Sequence, residues 1–318
     1  MIKSLSMVLA IAIYTTELFA VAKGPAVPDY PADKVAENIY VIHGPVTTPN
    51  PENQGFMNNP GIVLTSMGAV IIDPGGTVQS GEMVLRVVKK LTDKPVVAVF
   101  NTHIHGDHWL GNQAVSEKFP MATIYAHSNL IEKAADGIVG SEWVTLMEDL
   151  TQGKSNGTRA VVADKIVRHG DKITIGDTTF EIYNYGVAHT DSDIMIAVNK
   201  NTVLFLGDNL LNGRLGRSSD GNIKSLIESN EKVVRIQPEV IVPGHGKSGG
   251  MEMFNHSLDI FRILYKTVKE LYEQDISDFE MKPTVVKALD AYKGWHEFDN
   301  LIGKAINQAF LEIEEADF

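Results

Sequence analysis

The sequence contains no cysteine among its 318 residues. This absence excludes disulfide bonds and removes thiolate both as a metal ligand and as a nucleophile. Any metal site must therefore be built mainly from His, Asp and Glu. Stability must come from the size of the core, and a chain of this length suits one large domain or two small ones.

Basic charge is also scarce. The 28 Lys and Arg residues are outnumbered by 40 Asp and Glu residues, which gives a formal net charge of −12. A general nucleic-acid-binding protein needs a basic face, so this balance argues against nucleic acid as a partner. Bound metal cations do not enter the formal count, so a locally positive site is compatible with it.

Long apolar runs are missing as well. The apolar run nearest the start, residues 7–14 (MVLAIAIY), is far shorter than the roughly 20 residues of a membrane span. Lys3 precedes it, and the small residues Ala20 and Ala22 flank Val21 after it. Residues 1–22 are therefore typical of a cleaved signal peptide. We expect an exported, periplasmic protein with no stable membrane anchor after cleavage.

Hydrophobic patterns predict two β-rich stretches, residues 39–125 and 172–242, interrupted by helices. Residues 23–36, before the first stretch, are expected to be irregular. Residues 109–119 are expected to form a helix, and residues 127–165, between the two stretches, are expected to be mostly helical. The predicted fold class is therefore mixed α/β (α+β).

Two further segments stand out. Residues 44–60 carry four Pro and four Asn and are predicted to form a loop. Loops of this length are usually lids or disordered segments, and we expect this one to contact substrate. Apolar residues at helical spacing predict that residues 251–318 form a helical C-terminal extension packed on a catalytic domain of residues 23–250.

One short stretch concentrates metal-binding side chains. His103, His105, Asp107 and His108 fall within six residues, directly after a predicted buried strand at 95–100. Imidazole and carboxylate together suit zinc, and also iron or manganese. Four such residues exceed what one catalytic ion takes from a single loop, so two ions that share the loop are the simpler interpretation.

Three further candidates lie at the ends of predicted strands, each beside a turn: His189, Asp208 and His245. A lone His at a strand end is usually a surface or capping residue, so each means little by itself. They become significant together with the His-x-His-x-Asp-His run, because the requirements of a fold alone rarely place four such residues so close together.

Residues 102–108, followed in order by His189, Asp208 and His245, resemble the metallo-β-lactamase superfamily over about residues 39–250. The resemblance implies a four-layer αββα sandwich with the site at one edge of its sheets. It also implies that Asp73 lies near the metal ions without binding them and supports the residues that do. The implied ligands form two sets with a carboxylate between them: His103, His105 and His189 for one ion, Asp107, His108 and His245 for the other, and Asp208 as the bridge.

The sequence departs from one branch of this family. The best-known β-lactamases carry a cysteine where this chain has Asp208, whereas the glyoxalase II-like and lactonase-like branches carry a bridging Asp. The ligand set therefore resembles the wider hydrolase family more than a dedicated β-lactamase. Residues 187–192 also differ from the Pro-Gly-His pattern of many members, which leaves the substrate class open.

The primary hypothesis is an exported hydrolase with two Zn²⁺ ions, whose bridging hydroxide attacks the carbonyl of a small β-lactam, lactone or ester. Asp107 and Asp208 are its candidate catalytic residues. Arg214 and Arg217 are candidates for binding a substrate carboxylate, although solvated surface arginines are at least as common. Trp109 is expected in the core.

Two alternatives remain open from the sequence. The first is a glyoxalase II-like thioester hydrolase or a persulfide-oxidising relative, the latter with iron. The second is a non-catalytic periplasmic metal-binding accessory protein, for example in a quinoprotein or sulfur-oxidation pathway. The sequence indicates no oligomeric state.

Overall fold

A computed structural model describes residues 22–199 and 202–317. The predicted signal peptide, residues 1–22, lies outside the described residues except for Ala22. Within the described part of the chain, no helix is long and apolar enough to cross a membrane.

The first sheet has seven strands in sequence order. β1 to β4 pair antiparallel, and β4 to β7 pair parallel. Its strands are β1 (Ala32–Ala36), β2 (Ile39–Ile42), β3 (Gly61–Leu64), β4 (Ala69–Ile72), β5 (Val96–Phe100), β6 (Thr123–His127) and β7 (Lys165–Val167).

The second sheet has five strands in the order β12-β11-β10-β9-β8. All neighbours are antiparallel except β11 and β12, which run parallel. Its strands are β8 (Lys172–Ile175), β9 (Thr178–Tyr183), β10 (Met195–Val198), β11 (Val203–Phe205) and β12 (Val240–Val242).

Helices cover the outer faces of both sheets. They are α1 (Val78–Leu91), α2 (Gly106–Trp109), α3 (Asn112–Lys118), α4 (Ser128–Ala134), α5 (Ile138–Leu150), α6 (Ile223–Val233), α7 (Met251–Tyr272), α8 (Asp278–Ala288) and α9 (Phe298–Asp317).

The two sheets pack face to face. Phe100 of the first sheet lies against Phe180 of the second, with ring centroids 5.2 Å apart. β4 is buried along its whole length because its residues alternate between the two sides: Val70 and Ile72 face the second sheet, and Ile71 faces the helices. A continuous apolar run is what such a two-sided strand requires.

The C-terminal helices complete the fourth layer. Apolar residues of α7 and α9, such as Leu258 and Ile306, share one buried cluster with Met195 and Ile241 of the second sheet. The predicted αββα sandwich with a helical C-terminal extension is therefore confirmed.

Three local expectations were wrong. Residues 23–36 contain β1, an edge strand whose exposed Asp33 and Lys34 hide the usual apolar alternation. Residues 127–165 are helical only to Leu150, and β7 begins at Lys165. The helix expected over 109–119 is two helices, because the chain turns at residues 110–111 between α2 and α3.

The start of α6 depends on the C-terminal extension. The buried carboxylate of Glu312, in α9, accepts hydrogen bonds from the backbone N–H groups of Ile223 (2.7 Å) and Lys224 (3.1 Å). Asn222 caps the same end through Ser225. The first turn of a helix leaves such N–H groups without intrahelical partners, so Glu312 supplies the missing hydrogen-bond acceptor at the start of α6.

We predict that Glu312→Ala lowers the free energy of unfolding by about 2 kcal/mol, because it removes a buried charged group that accepts hydrogen bonds from the start of α6 and from Gln308 Nε2. Urea denaturation measures the change. Glu315→Ala, at an exposed position of the same helix, is the matched control and should stay within about 0.5 kcal/mol of the parent. Equal effects of the two substitutions would contradict this role.

Candidate metal centre

Parallel strand pairs bring the candidate residues to one edge of the sandwich. Ile72 pairs with Phe100 at the ends of β4 and β5, so Asp73 and the loop that begins at residue 101 leave the first sheet together. Phe205 pairs with Val242 at the ends of β11 and β12. The segments that carry Asp208 and His245 therefore leave the second sheet side by side.

All seven predicted residues converge there. The side-chain donor atoms within each of two groups lie within 4.8 Å of one another. The groups are His103, His105, His189 and Asp208, and Asp107, His108 and His245.

Asp208 lies between the two groups. Its Oδ1 atom is 3.1 Å from His108 Nε2 and 3.4 Å from His245 Nε2, whereas its Oδ2 atom is 3.6 Å from His189 Nε2. Each carboxylate oxygen thus faces a different group, which is the arrangement that a bridging ligand needs.

The spacing of the donors fits coordination of metal ions. Two donors about 2.1 Å from one tetrahedral zinc ion lie roughly 3.3 Å apart. His105 Nδ1 is 3.0 Å from His189 Nε2, and His108 Nε2 is 3.3 Å from His245 Nε2. Two unprotonated imidazole nitrogens repel each other at these distances, so a shared cation explains their approach.

Hydrogen bonds at the other ring nitrogen fix the tautomer of four histidines. Each partner accepts a hydrogen bond from the ring N–H that points away from the centre, which leaves the facing nitrogen free to bind metal. The pairs are His108 Nδ1 with the Asp73 carboxylate (2.8 Å), His245 Nδ1 with the Met57 carbonyl oxygen (2.9 Å), His105 Nε2 with the Asp220 carboxylate (3.0 Å), and His103 Nδ1 with Thr102 Oγ1 (3.0 Å).

Asp73 organises the loop from outside the donor groups. Its carboxylate accepts hydrogen bonds from the Thr102 backbone N–H (2.8 Å) and hydroxyl (2.7 Å), in addition to His108. Its backbone adopts φ +52°, a conformation that non-glycine residues seldom take. Strained backbone of this kind persists where the surroundings over-determine it, and three hydrogen bonds do so here.

The electrostatics differ between the two groups of histidines. Burial by itself would lower the pKa of His108 and of His245, but the carboxylates around them, Asp208 first, raise both pKa values above the ordinary value. Burial lowers the pKa of His103 well below its ordinary value and that of His189 to about 3, so both rings are neutral near pH 7. Burial raises the pKa of Asp107, but His108 and His245 outweigh it, so the pKa ends below its ordinary value. His103 Nε2 and Asp208 Oδ1 are buried without a hydrogen-bond partner, as open ligand positions would be.

The second half of the loop at residues 44–60 is buried and supports the centre. Residues 53–60 are buried, and Asn59 holds the turn around His245. Its side-chain amide donates to the carbonyl oxygens of Pro243 (2.8 Å) and Gly246 (2.7 Å), and its backbone N–H donates to Gly244 (2.9 Å). The loop is therefore part of the rigid support of the centre.

A second set of hydrogen bonds supports the segment after His245, at Ser248. His43 Nδ1 is 2.9 Å from the Asp33 carboxylate, and His43 Nε2 accepts from the Ser248 hydroxyl at 2.8 Å. Burial lowers the pKa of His43, which keeps its ring neutral for this acceptor role. The edge strand β1 is thereby tied to the segment that carries His245.

A cleft of about 870 Å³ opens over the donors. Its walls come from α5, α9, residues 216–219 and Thr48 and Pro49 of the loop at 44–60. Arg214 and Arg217 both line it. Arg214 is half-buried and its Nε has no partner, whereas Arg217 is exposed and lies 3.6 Å from the Asp220 carboxylate.

Several supporting residues escaped the sequence analysis. Asp220 and Trp143 lie far along the chain from His105, which they contact, and Asn59 lies far from the turn around His245 that it supports; no motif marks them. Trp109, by contrast, is fully buried in the core as expected, with its indole N–H donated to the Ile104 carbonyl oxygen at 2.8 Å.

Comparison with known proteins identifies the family. Residues 54–245 match the model of the metallo-beta-lactamase superfamily, which is more than half of the chain. The chain belongs to the metallo-beta-lactamase superfamily. The matched range contains all seven donor residues and ends at His245, and members of this superfamily bind metal ions.

Two relatives illustrate the range of the family. A hydroxyacylglutathione hydrolase of Gloeothece citriformis is 26% identical over 170 residues, which are 52% of this chain and 54% of the relative. A metallo-beta-lactamase type 2 of Bacillus sp. (strain 170) is 26% identical over 208 residues, which are 64% of this chain and 72% of the relative. Both are hydrolases. The chain spans about half the length of the hydroxyacylglutathione hydrolases that it matches.

Among solved structures, the inverting sec-alkylsulfatase Pisa1 from Pseudomonas sp. has a TM-score of 0.65 at 17% identity. The likeness covers 89% of this chain and 50% of that one. At this identity it shows the fold alone, and it extends well beyond residues 54–245.

We predict that Gly244→Ala disrupts the centre. A Cβ atom at residue 244 would lie 2.0 Å from Asp208 Oδ1, 2.8 Å from the carbonyl carbon of Gly207 and 2.9 Å from the backbone nitrogen of Asp208, so the carboxylate and the backbone that carries it must move. Metal affinity should fall at least about tenfold, as it does when supporting residues of a metal ligand change. Competition with a chromogenic chelator measures this affinity.

Gly250→Ala is the matched control, because a Cβ atom there meets nothing within 4 Å. Its metal affinity should equal that of the parent protein. Unchanged affinity in Gly244→Ala would show that Asp208 does not hold the metal.

Proposed function

We propose that this protein is a dinuclear metal hydrolase that cleaves a carbonyl substrate of the β-lactam, lactone or ester type. The observation that carries the proposal is the position of Asp208, whose two oxygens face two separate groups of buried donors. The proposed ligands of one ion are His103, His105 and His189, those of the other are Asp107, His108 and His245, and Asp208 is the bridge.

Zinc is the proposed metal. Five imidazoles and two carboxylates with no thiolate match its preferences, although iron and manganese accept the same donors. When two such ions are bound, they lower the pKa of coordinated water towards about 7 and polarise a carbonyl oxygen.

The residues of the chain have separate parts in the reaction. Water adds its oxygen to the carbonyl carbon, the bond from that carbon to the leaving group breaks, and the leaving group departs with a proton. Asp107 is ionised and lines the cleft, so its carboxylate can accept a hydrogen bond that orients the attacking water. Arg214 offers an unpaired, buried Nε–H to an anionic group of the substrate.

Thioester hydrolysis is a second candidate. The relatives named hydroxyacylglutathione hydrolases support it, because they match half of the chain. The carboxylate at Asp208, where the best-known β-lactamases carry cysteine, favours it over a dedicated β-lactamase. The same site chemistry serves both substrates, since only the leaving group differs.

We predict that the purified protein contains two metal ions per chain and that Asp208→Ala loses both metal and turnover. Metal analysis is combined with a panel of a chromogenic cephalosporin, a lactone, an aryl ester and lactoylglutathione. His169→Ala changes an exposed histidine outside the centre and should behave like the parent protein.

Each outcome is informative. Turnover of lactoylglutathione alone would favour the thioester hydrolase. A full complement of metal with no turnover of any substrate would contradict an enzyme and favour a metal-binding accessory protein. Full activity in the Asp208→Ala protein would contradict the mechanism.

We also propose that the protein is exported, with residues 23–250 as the catalytic domain and 251–318 as its helical extension. The proposed cleavage point lies just before a packed segment: Gly24 N–H donates to the Asn156 carbonyl oxygen at 2.9 Å, and Val27 is buried. N-terminal sequencing of protein from a periplasmic fraction should begin at Lys23. An uncleaved N-terminus in the cytoplasmic fraction would contradict export.

A further inference from the structure

One wall of the cleft is a run of apolar side chains on α5. Leu146 and Leu150 are 38% and 40% exposed, which is unusual for leucines that lie in a cleft over a buried polar centre. Trp143 and Met147 line the same cleft. Residues three and four apart share a face of a helix, so the four side chains form one continuous surface, which we call the α5 wall.

The α5 wall begins at the metal donors. The centroid of the Trp143 ring lies 5.2 Å from that of His105. Gly106 follows His105, and a Cβ atom there would lie 2.8 Å from Trp143 Cβ. This close approach holds the indole directly beside the proposed position of the reacting carbonyl.

The α5 wall is long enough for an extended chain. Leu150 lies seven residues after Trp143, and a helix rises 1.5 Å per residue, so the wall runs about 10 Å away from the donors. A substrate bound at the metal centre can therefore lay an apolar arm along it.

The opposite side of the cleft is mostly polar. Lys304 and Asn307 of α9 and Arg217 with its neighbours Ser218 and Ser219 line it, and Leu301 of α9 is an apolar residue among them. A ligand that fills this cleft meets its largest apolar surface on α5. An acyl chain on the α5 wall, with the polar leaving group towards α9, matches both sides.

We propose that the α5 wall is an acyl-binding subsite, and that the substrate carries an unbranched, medium-length apolar chain on its carbonyl carbon. This inference rests on the proposed hydrolase function. Trp143 contacts the chain next to the carbonyl, and Leu146 and Leu150 contact its far end.

Binding of alkyl hydroxamates to the zinc-loaded protein tests the inference without turnover. The hydroxamate head binds the metal, so acetohydroxamate and octanohydroxamate differ only in the chain that reaches the α5 wall. Each buried methylene strengthens binding about fourfold. Octanohydroxamate should therefore bind about 60-fold more tightly if the wall covers three of its six additional methylenes, as measured by calorimetry.

Variants assign the difference to the α5 wall. Leu146→Asn with Leu150→Asn should reduce the octanoyl-to-acetyl ratio at least tenfold and leave acetohydroxamate binding unchanged. Leu146→Met should preserve the ratio. Leu311→Asn, at a leucine of α9 that is 48% exposed and does not line the cleft, is the matched control and should preserve it too.

The failures are distinguishable. Equal affinity for the two hydroxamates, or a ratio unaffected by the double substitution, would overturn the acyl subsite and leave the hydrolase proposal standing. Failure of acetohydroxamate to bind the zinc-loaded protein would contradict an accessible metal centre, and both proposals with it.

Discussion

The structure depends on the close approach of five imidazoles and two carboxylates at one edge of two sheets. Buried polar groups are costly unless they are paired, and unprotonated nitrogens about 3 Å apart repel each other. Here the outward-facing ring nitrogens of four histidines have hydrogen-bond partners, and the inward-facing atoms His103 Nε2 and Asp208 Oδ1 have none. A metal ion held among these atoms would balance this arrangement.

The rest of the fold serves to hold that edge. The parallel pairs β4–β5 and β11–β12 end in register, so one side of the centre comes from each sheet. Asp73 and Asn59 then fix the loops that the strands release. The C-terminal extension contributes to this edge of the sandwich in two ways. Glu312 supports the start of α6, and α9 forms the mostly polar side of the cleft.

The seven candidate donors could be selected from the sequence because they lie at recognisable places, and the structure brings them together. The His103–His108 run follows a continuous apolar strand, and Asp208 and His245 follow two others beside glycines. Asp73 was expected among the supporting residues from the family resemblance, but Asp220 and Asn59 were not predictable, because their contacts are tertiary: Asp220 is 115 residues from His105, which it orients. β1 escaped detection because an exposed edge strand needs no apolar alternation, and the burial of the second half of the loop at 44–60 was not predicted because its asparagines bind backbone rather than solvent.

Anomalous scattering from crystals of the zinc-loaded protein, measured at the zinc absorption edge, tests the central claim most directly. Two peaks about 3.5–4 Å apart are predicted, one within each donor group and with the Asp208 carboxylate between them. A single peak, or zinc bound away from these seven residues, would contradict a dinuclear centre bridged by Asp208.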